Sequence, residues 1–318
     1  MGAGQLSLAY GQDNRYAIGF PAQRGQVMEG RAVTHTIDVN TGRGQFTALV
    51  AGDPAAPVAL LLHGFPDVPH TFNGLAAQLA AAGFRAVAPF ARGYQPSPPF
   101  PRLEDGKWSV FETLGADAVA IAETLSPDRP VALVGHDNGA FTAYYALAQA
   151  PGRFSRAVTM TAGRPAAVFA NTSKLPRQLW KSRYAFLFQV PGLSAWYARR
   201  AGFGYLRDLW GRWAAPGWQV PEAHWARVRG TMERSWPAPL LHYRRMAFGG
   251  PETPIATPLL YLLGDRDGCV EPASAEGQER YFADEFEARA IAGAGHFPHL
   301  ERPEVVESAI IEWLKRTA

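Results

Sequence analysis

At 318 residues, with 47% apolar and 19% charged side chains, the chain is long enough for a large α/β core carrying an insertion and too apolar to be disordered. A net charge of +3 gives no argument for a polyanionic partner, and a single cysteine, Cys269, excludes an intrachain disulfide. A reducing, cytoplasmic setting is therefore expected. Residues 1–28 lack periodicity and read as a loose N-terminal arm. The first 30 residues contain no continuous apolar stretch of the kind found in a secretory signal or membrane anchor.

Val33, His35, Ile37 and Val39 alternate with polar residues, as in a half-exposed strand, and Phe46 to Val50 is its expected hairpin partner. Val58 to Leu62 is apolar throughout, the pattern of a strand buried on both faces. Further strands are expected at Arg85 to Pro89, Val131 to Gly135, Arg156 to Thr161, Leu259 to Gly264 and Phe286 to Ile291. Helical patterns lie near 70–82, 110–125, 139–149 and 303–315. Strands alternating with helices predict a mostly parallel sheet with helices on both faces.

The segment 165–249 breaks this rhythm. It shows no strand pattern and holds seven of the nine tryptophans. Its thirteen Lys/Arg and three Asp/Glu give it a net charge of +10, against −7 for the rest of the chain. It is read as a helical cap inserted between two strands of a core made of 29–164 and 250–318. A basic cap could recognise an acidic substrate or a membrane surface, but its charge is read as a solvated surface that complements the acidic core, with arginines stacked on tryptophans. The charges are scattered and no nucleic-acid motif accompanies them.

The chemistry centres on Gly135, His136, Asp137, Asn138 and Gly139, which follow an apolar strand and precede an Ala-rich helix. Strand, sharp turn and helix form the context of a nucleophile elbow. The residues two away from the centre must be small to avoid the strand and helix backbones, and Gly135 and Gly139 meet that need. The central residue is Asp137, a carboxylate already ionised at neutral pH, so its attack needs no base. His63, Gly64, Phe65 and Pro66 follow the buried strand Val58 to Leu62. There the Phe65 N–H is expected to supply one oxyanion donor and the Asn138 N–H the second, with Pro66 holding the loop through a cis bond.

A triad needs an acid and a histidine later in the chain. Asp267 lies three residues past Gly264, far enough along its loop to reach a histidine, whereas Asp265 is read as a local turn cap. His296 follows Gly293, Ala294 and Gly295, small residues that let the loop turn back into the site. His299 is read as structural, and His35 and His136 as packing or bonding locally. No His/Cys/carboxylate run has metal-ligand spacing. Cys269 is read as a small buried hydrophobe.

At these residues the chain resembles the soluble, cap-bearing epoxide hydrolase family, over nearly everything from about residue 30 onward. The matches in order are His63 to Pro66, Arg92-Gly93-Tyr94, Gly135 to Asp137, and Gly295-His296. Two more lie in the cap: Tyr184 ahead of Phe188-Gln189-Val190-Pro191-Gly192, and Tyr243 within His242 to Met246. The resemblance implies an α/β-hydrolase fold, with a mostly parallel eight-stranded sheet, helices on both faces and an inserted α-helical cap. It also implies that Tyr184 and Tyr243 hold the epoxide oxygen. One departure stands out: the family usually carries Trp directly after the nucleophile, and this chain has Asn138. Its backbone N–H remains, while the pocket wall becomes smaller and more polar.

The implied reaction is hydrolysis of an apolar or aromatic epoxide to a vicinal diol through an aspartyl ester, with no cofactor or metal. The expected molecule is a monomer or homodimer without nucleic-acid binding or membrane insertion. A dehalogenase acting on haloalkanes or haloacids is the nearest rival, since it can share the Asp-His-Asp set. However, neither the indole nor the arginine that follows the nucleophile in such enzymes is present. A non-catalytic ligand receptor on the same fold would not need all three groups, and a serine esterase lacks its serine.

Overall fold

β1 (His35–Thr41) and β2 (Gly44–Ala51) form the expected antiparallel hairpin, with Val39 opposite Phe46. These coordinates are a computed structural model that describes residues 34–101, 109–172, 174–245, 251 and 253–316. The expected arm at 1–28, and Val33 at the start of the first strand, lie outside the described residues. β3 (Val58–Leu62), β4 (Arg85–Pro89), β5 (Val131–His136), β6 (Phe154–Met160), β7 (Leu259–Gly264) and β8 (Phe286–Ile291) complete one eight-stranded sheet. Its order is β1-β2-β4-β3-β5-β6-β7-β8, parallel from β4 onward. The sixth strand begins two residues earlier than its apolar pattern suggests and stops before Thr161, which adopts a positive φ of 65°.

The helices among the described residues fall into two sets. In the core, α1 (Asn73–Ala81), α2 (Val110–Leu125) and α3 (Asn138–Gln149) follow β3, β4 and β5. Between β6 and β7 come α4 (Pro165–Thr172), α5 (Pro176–Lys181), α6 (Arg183–Phe188), α7 (Leu193–Trp213), α8 (Glu222–Ser235) and α9 (Leu241–Arg244). α10 (Pro298–Glu301) and α11 (Pro303–Lys315) follow β8. α1 is preceded by a 3-10 turn at Pro69–Phe72, so the expected helix near 70 starts in tighter geometry. No helix among the described residues is long and apolar enough to cross a membrane.

Alternation along the strands divides the core. Val58, Leu60 and Leu62 point to the side of α2 and α3, and Ala59 and Leu61 to the side of α1 and α11. Burial on both faces explains why β3 reads as an unbroken apolar run. A third apolar cluster joins the insertion to loops at the carboxyl ends of the strands, with Phe65 and Tyr94 among Phe188, Trp210, Trp213 and Tyr243. The expected arginine–tryptophan stacking is present: Arg183 lies 4.0 Å from the Trp180 ring centre, and Arg200 4.7 Å from that of Trp196.

Register positions the site. β3 and β5 are neighbours, and Leu62 pairs with Gly135. The loop after β3 and the turn after β5 therefore leave the sheet side by side.

Candidate active site

Asp137 sits between β5 and α3 with φ 53° and ψ −119°, a conformation that is strained for a residue with a side chain. A Cβ on Gly135 would collide with the Gly139 carbonyl, and one on Gly139 with the Leu62 carbonyl. Both positions are thus restricted to glycine by close backbone approach. A Cβ on Gly64 would likewise strike the Asp137 side chain. These contacts press the β3 loop against the nucleophile candidate.

The Phe65 N–H donates to Asp137 Oδ1 at 2.8 Å, and the Phe65–Pro66 bond is cis. His63 holds the same loop by two bonds: its Nδ1 reaches the Gly64 carbonyl at 2.9 Å, and its Nε2 accepts from Ala91 N–H at 3.1 Å. The second expected oxyanion donor, Asn138 N–H, makes no hydrogen bond among the described residues. The Asn138 amide side chain instead lies 3.3 Å from His242 Nδ1, linking the elbow to the residue before Tyr243. Sequence reasoning did not find this link, since 104 positions separate the partners.

The acid and histidine come together as their spacing suggests. His296 Nδ1 is 2.9 Å from Asp267 Oδ2, and its Nε2 is 3.3 Å from Asp137 Oδ2. Asp267 Oδ1 accepts from Cys269 N–H at 2.6 Å and Val270 N–H at 2.8 Å, which fixes the carboxylate's orientation. Burial is the largest influence on His296 and opposes its charge. The Asp267 charge and hydrogen bonds to both carboxylates outweigh burial and push its pKa up to about 10. Burial likewise opposes ionisation of Asp137, but hydrogen bonding and charge from His296 prevail and lower its pKa. The carboxyl groups on either side of the ring thus favour its charged form.

Asp265 does not cap its own turn. Its Oδ1 accepts from Gly293 N–H at 2.8 Å and so ties the acid loop to the histidine loop. Nor does His136 bond locally: its Nε2 is 2.7 Å from the His296 carbonyl. Glu301, which sequence reasoning missed, accepts from Gly295 and Phe297 N–H on the histidine loop and from Ala215 N–H in the insertion. Its place in the first turn after that loop was the only available signal. The Trp213 carbonyl accepts from both His296 and Gly268 N–H, so the end of α7 braces the histidine and acid loops together.

Tyr184 and Tyr243 are buried beside each other, with ring centres 5.6 Å apart, and Phe65 lies 5.1 Å from Tyr243. Burial, reinforced by the Asp137 charge, raises both phenols well above their ordinary pKa, so they stay protonated. Tyr184 Oη is 3.5 Å from Cys269 Sγ, and Tyr243 Oη has no partner among the described residues. Cys269 is buried as expected, and burial raises its thiol pKa, leaving it protonated.

One grouping was invisible to spacing. Asp67, His136 and His299 bring possible metal-ligand atoms within 4.8 Å of one another, although their loops are far apart in sequence. Asp67 Oδ1 is committed to His224 at 2.8 Å and to Val68 N–H, and His299 Nε2 to Thr71 Oγ1 at 2.6 Å. Asp67 Oδ2 and the Nδ1 atoms of both histidines have no partner among the described residues.

A family model described as the alpha/beta hydrolase fold matches residues 57–303. The chain belongs to the α/β-hydrolase fold family. This α/β hydrolase is 29% identical to epoxide hydrolase 3 of Xenopus tropicalis, over 85% of the chain and 75% of that protein. It is 26% identical to epoxide hydrolase A of Mycobacterium tuberculosis, over 87% of the chain and 96% of that protein. Among solved structures, the Bacillus megaterium epoxide hydrolase bound to an inhibitor shares its fold with a TM-score of 0.74 at 22% identity. That match covers 89% of this chain and 100% of the other.

Proposed function

We propose that this α/β hydrolase is an epoxide hydrolase that opens an apolar or aromatic epoxide to a vicinal diol through an ester on Asp137. The observation that carries the reading is chemical. The strained elbow holds a carboxylate rather than a hydroxyl, and the buried Tyr184 and Tyr243 phenols, like that of Tyr94, are kept protonated by burial with the Asp137 charge adding to it. A carboxylate can displace carbon directly, and phenols suit a developing alkoxide.

Oδ1 of Asp137 is held by the Phe65 amide, which leaves Oδ2 as the attacking atom. Oδ2 forms a bond to an epoxide carbon as the ring C–O bond breaks, and Tyr184 and Tyr243 donate to the departing oxygen. Esterification removes the negative charge beside His296. The imidazolium, now paired only with Asp267, loses the Asp137 share of the support for its charge and gives up a proton. The alkoxide gains one, so protons balance. Neutral His296, oriented by Asp267, then takes a proton from water as it attacks the ester carbonyl carbon. The tetrahedral oxyanion forms on Oδ1, against the Phe65 and Asn138 amides. Collapse breaks the bond to Oδ2, which leaves in the diol with the proton that His296 drew from water, and the new carboxyl returns its own proton to the ring. The residues from 165 to 249 act as the cap, supplying both phenols.

Incubation with aryl and alkyl epoxides, followed by chromatography of the diols, tests the reading. Diol formation is expected, without halide release from bromo- or chloroalkanes. Halide release without epoxide turnover would make the enzyme a dehalogenase.

A further inference from the structure

Among the described residues, eight large apolar side chains are exposed, and seven of them fall between Leu179 and Tyr197 in the insertion. Trp180 is 67% exposed, Phe186 63% and Trp196 58%. They are carried by α5, α6 and the start of α7. α6 has two faces: Tyr184 and Phe188 are buried with the site, while Phe186 points away. A monomeric soluble protein rarely leaves so many aromatics uncovered in one short stretch.

The charge on the same stretch is one-sided. From residue 165 to 207 the sequence contains no Asp or Glu, while Lys174, Arg177, Lys181, Arg183, Arg199, Arg200 and Arg207 fall within it, the last paired with Glu222. Arg177 and Lys181 reach back to Glu271, at 3.3 and 3.0 Å. Arg183, Arg199 and Arg200 have no acidic partner among the described residues, and Arg183 and Arg200 lie over the exposed rings of Trp180 and Trp196. Each of these pairs sets an apolar ring beside an unneutralised cation.

We propose that this exposed face of α5, α6 and α7 docks on the surface of an anionic phospholipid membrane. Tryptophan and arginine together suit the boundary between headgroups and acyl chains: the ring enters the boundary while the guanidinium meets phosphate. A second copy of the chain is a poor occupant, because mating two such faces would oppose unpaired arginines with no acid between them. A bilayer rich in acidic lipid supplies the missing charge. The docking is peripheral, and it stands independently of the reaction proposed above.

The test is co-sedimentation of the full chain with vesicles of phosphatidylcholine alone and with about 30% phosphatidylglycerol, at low and high salt. Binding to the acidic vesicles is expected to exceed binding to neutral ones by at least about tenfold and to weaken with salt. Trp180→Ser with Trp196→Ser, and separately Arg183→Glu with Arg200→Glu, are each expected to reduce it by about tenfold or more. All four positions are exposed, and the two double variants alter different chemistry, so loss in both is not a folding defect. Absence of binding to acidic vesicles overturns the proposal, as does binding that both variants retain. Concentration-dependent dimerisation abolished by the same substitutions, without vesicle binding, would assign the face to a second copy and also overturn it.

Discussion

His296 Nε2 lies 3.3 Å from Asp137 Oδ2 while its Nδ1 lies 2.9 Å from Asp267, so one ring pairs with both carboxylates. In the proposed reaction the geometry serves two states. With Asp137 free, the ring is a cation that keeps the carboxylate ionised. With Asp137 esterified, only Asp267 still supports the charge, and the ring can accept a proton from water. The half-reactions should therefore separate.

His296→Gln is expected to allow alkylation of Asp137 and to block release of the ester, since glutamine cannot take the proton from water. Mass spectrometry after mixing with epoxide should find the protein heavier by one epoxide. In parallel, a single turnover of the parent in heavy-oxygen water should place solvent oxygen in the Asp137 carboxylate and a light oxygen in the diol. Heavy oxygen in the first-turnover diol would mean that water opens the epoxide directly.

The raised pKa of His296 also sets a stability profile. It lies at about 10 in the fold against an ordinary 6.5. A group raised in this way contributes stability that is fully present below the lower value and is lost as pH rises through the higher. Urea unfolding of the parent and of His296→Gln, compared across this range, should show the parent losing ground to the variant as pH climbs from about 6.5 to about 10. A constant difference would show that the ring is neutral in the resting fold.

Much of this site was legible because its signals are local. Gly135, Asp137 and Gly139 announce themselves within five positions behind an apolar strand, and Gly293 and Gly295 mark the approach to His296. The sheet was equally readable, since burial on both faces writes an unbroken apolar run such as Val58 to Leu62. What escaped was long-range. Asn138 meets His242 and Glu301 meets Ala215 only because the insertion settles on the core loops. The exposed strip from Leu179 to Tyr197 was hidden for a related reason. An amphipathic pattern shows which residues are apolar but not which of them a neighbour covers.

Asp67 and His224 join the oxyanion loop region to α8 through a buried pair at 2.8 Å. Burial opposes the Asp67 charge, yet His224 and neighbouring imidazoles hold its pKa at about 2, against an ordinary 3.8. That contribution is present above the ordinary value and lost as pH falls through about 2. His224→Leu leaves the carboxylate with only the Val68 N–H and should cost about 1–3 kcal/mol in urea unfolding at neutral pH. Adding Asp67→Asn should recover part of the loss, because that charge disappears. A loss within about 0.5 kcal/mol for His224→Leu would show that the pair does not tie the insertion to the core.

The two phenols test what separates epoxide opening from its rivals. Ring opening builds negative charge on oxygen in a site with little water, and a phenol donates strongly while staying protonated. Burial and the Asp137 charge both press Tyr184 and Tyr243 toward the protonated form, so each remains a donor across the neutral range. Loss of one donor should cost about 1–3 kcal/mol, because its partner remains. Tyr184→Phe and Tyr243→Phe should each slow alkylation by about ten- to a hundredfold, and the double variant should nearly abolish it, with effects that need not add. Hydrolysis of the preformed ester should suffer much less, since its oxyanion forms on Oδ1 against the Phe65 amide. Stopped-flow tryptophan fluorescence can follow the alkylation step, because Trp213 packs 4.8 Å from the Tyr184 ring and 5.3 Å from His296. Alkylation by the double variant at close to the parental rate would remove the phenols from the reaction, and with them the main reason to read the substrate as an epoxide rather than an alkyl halide.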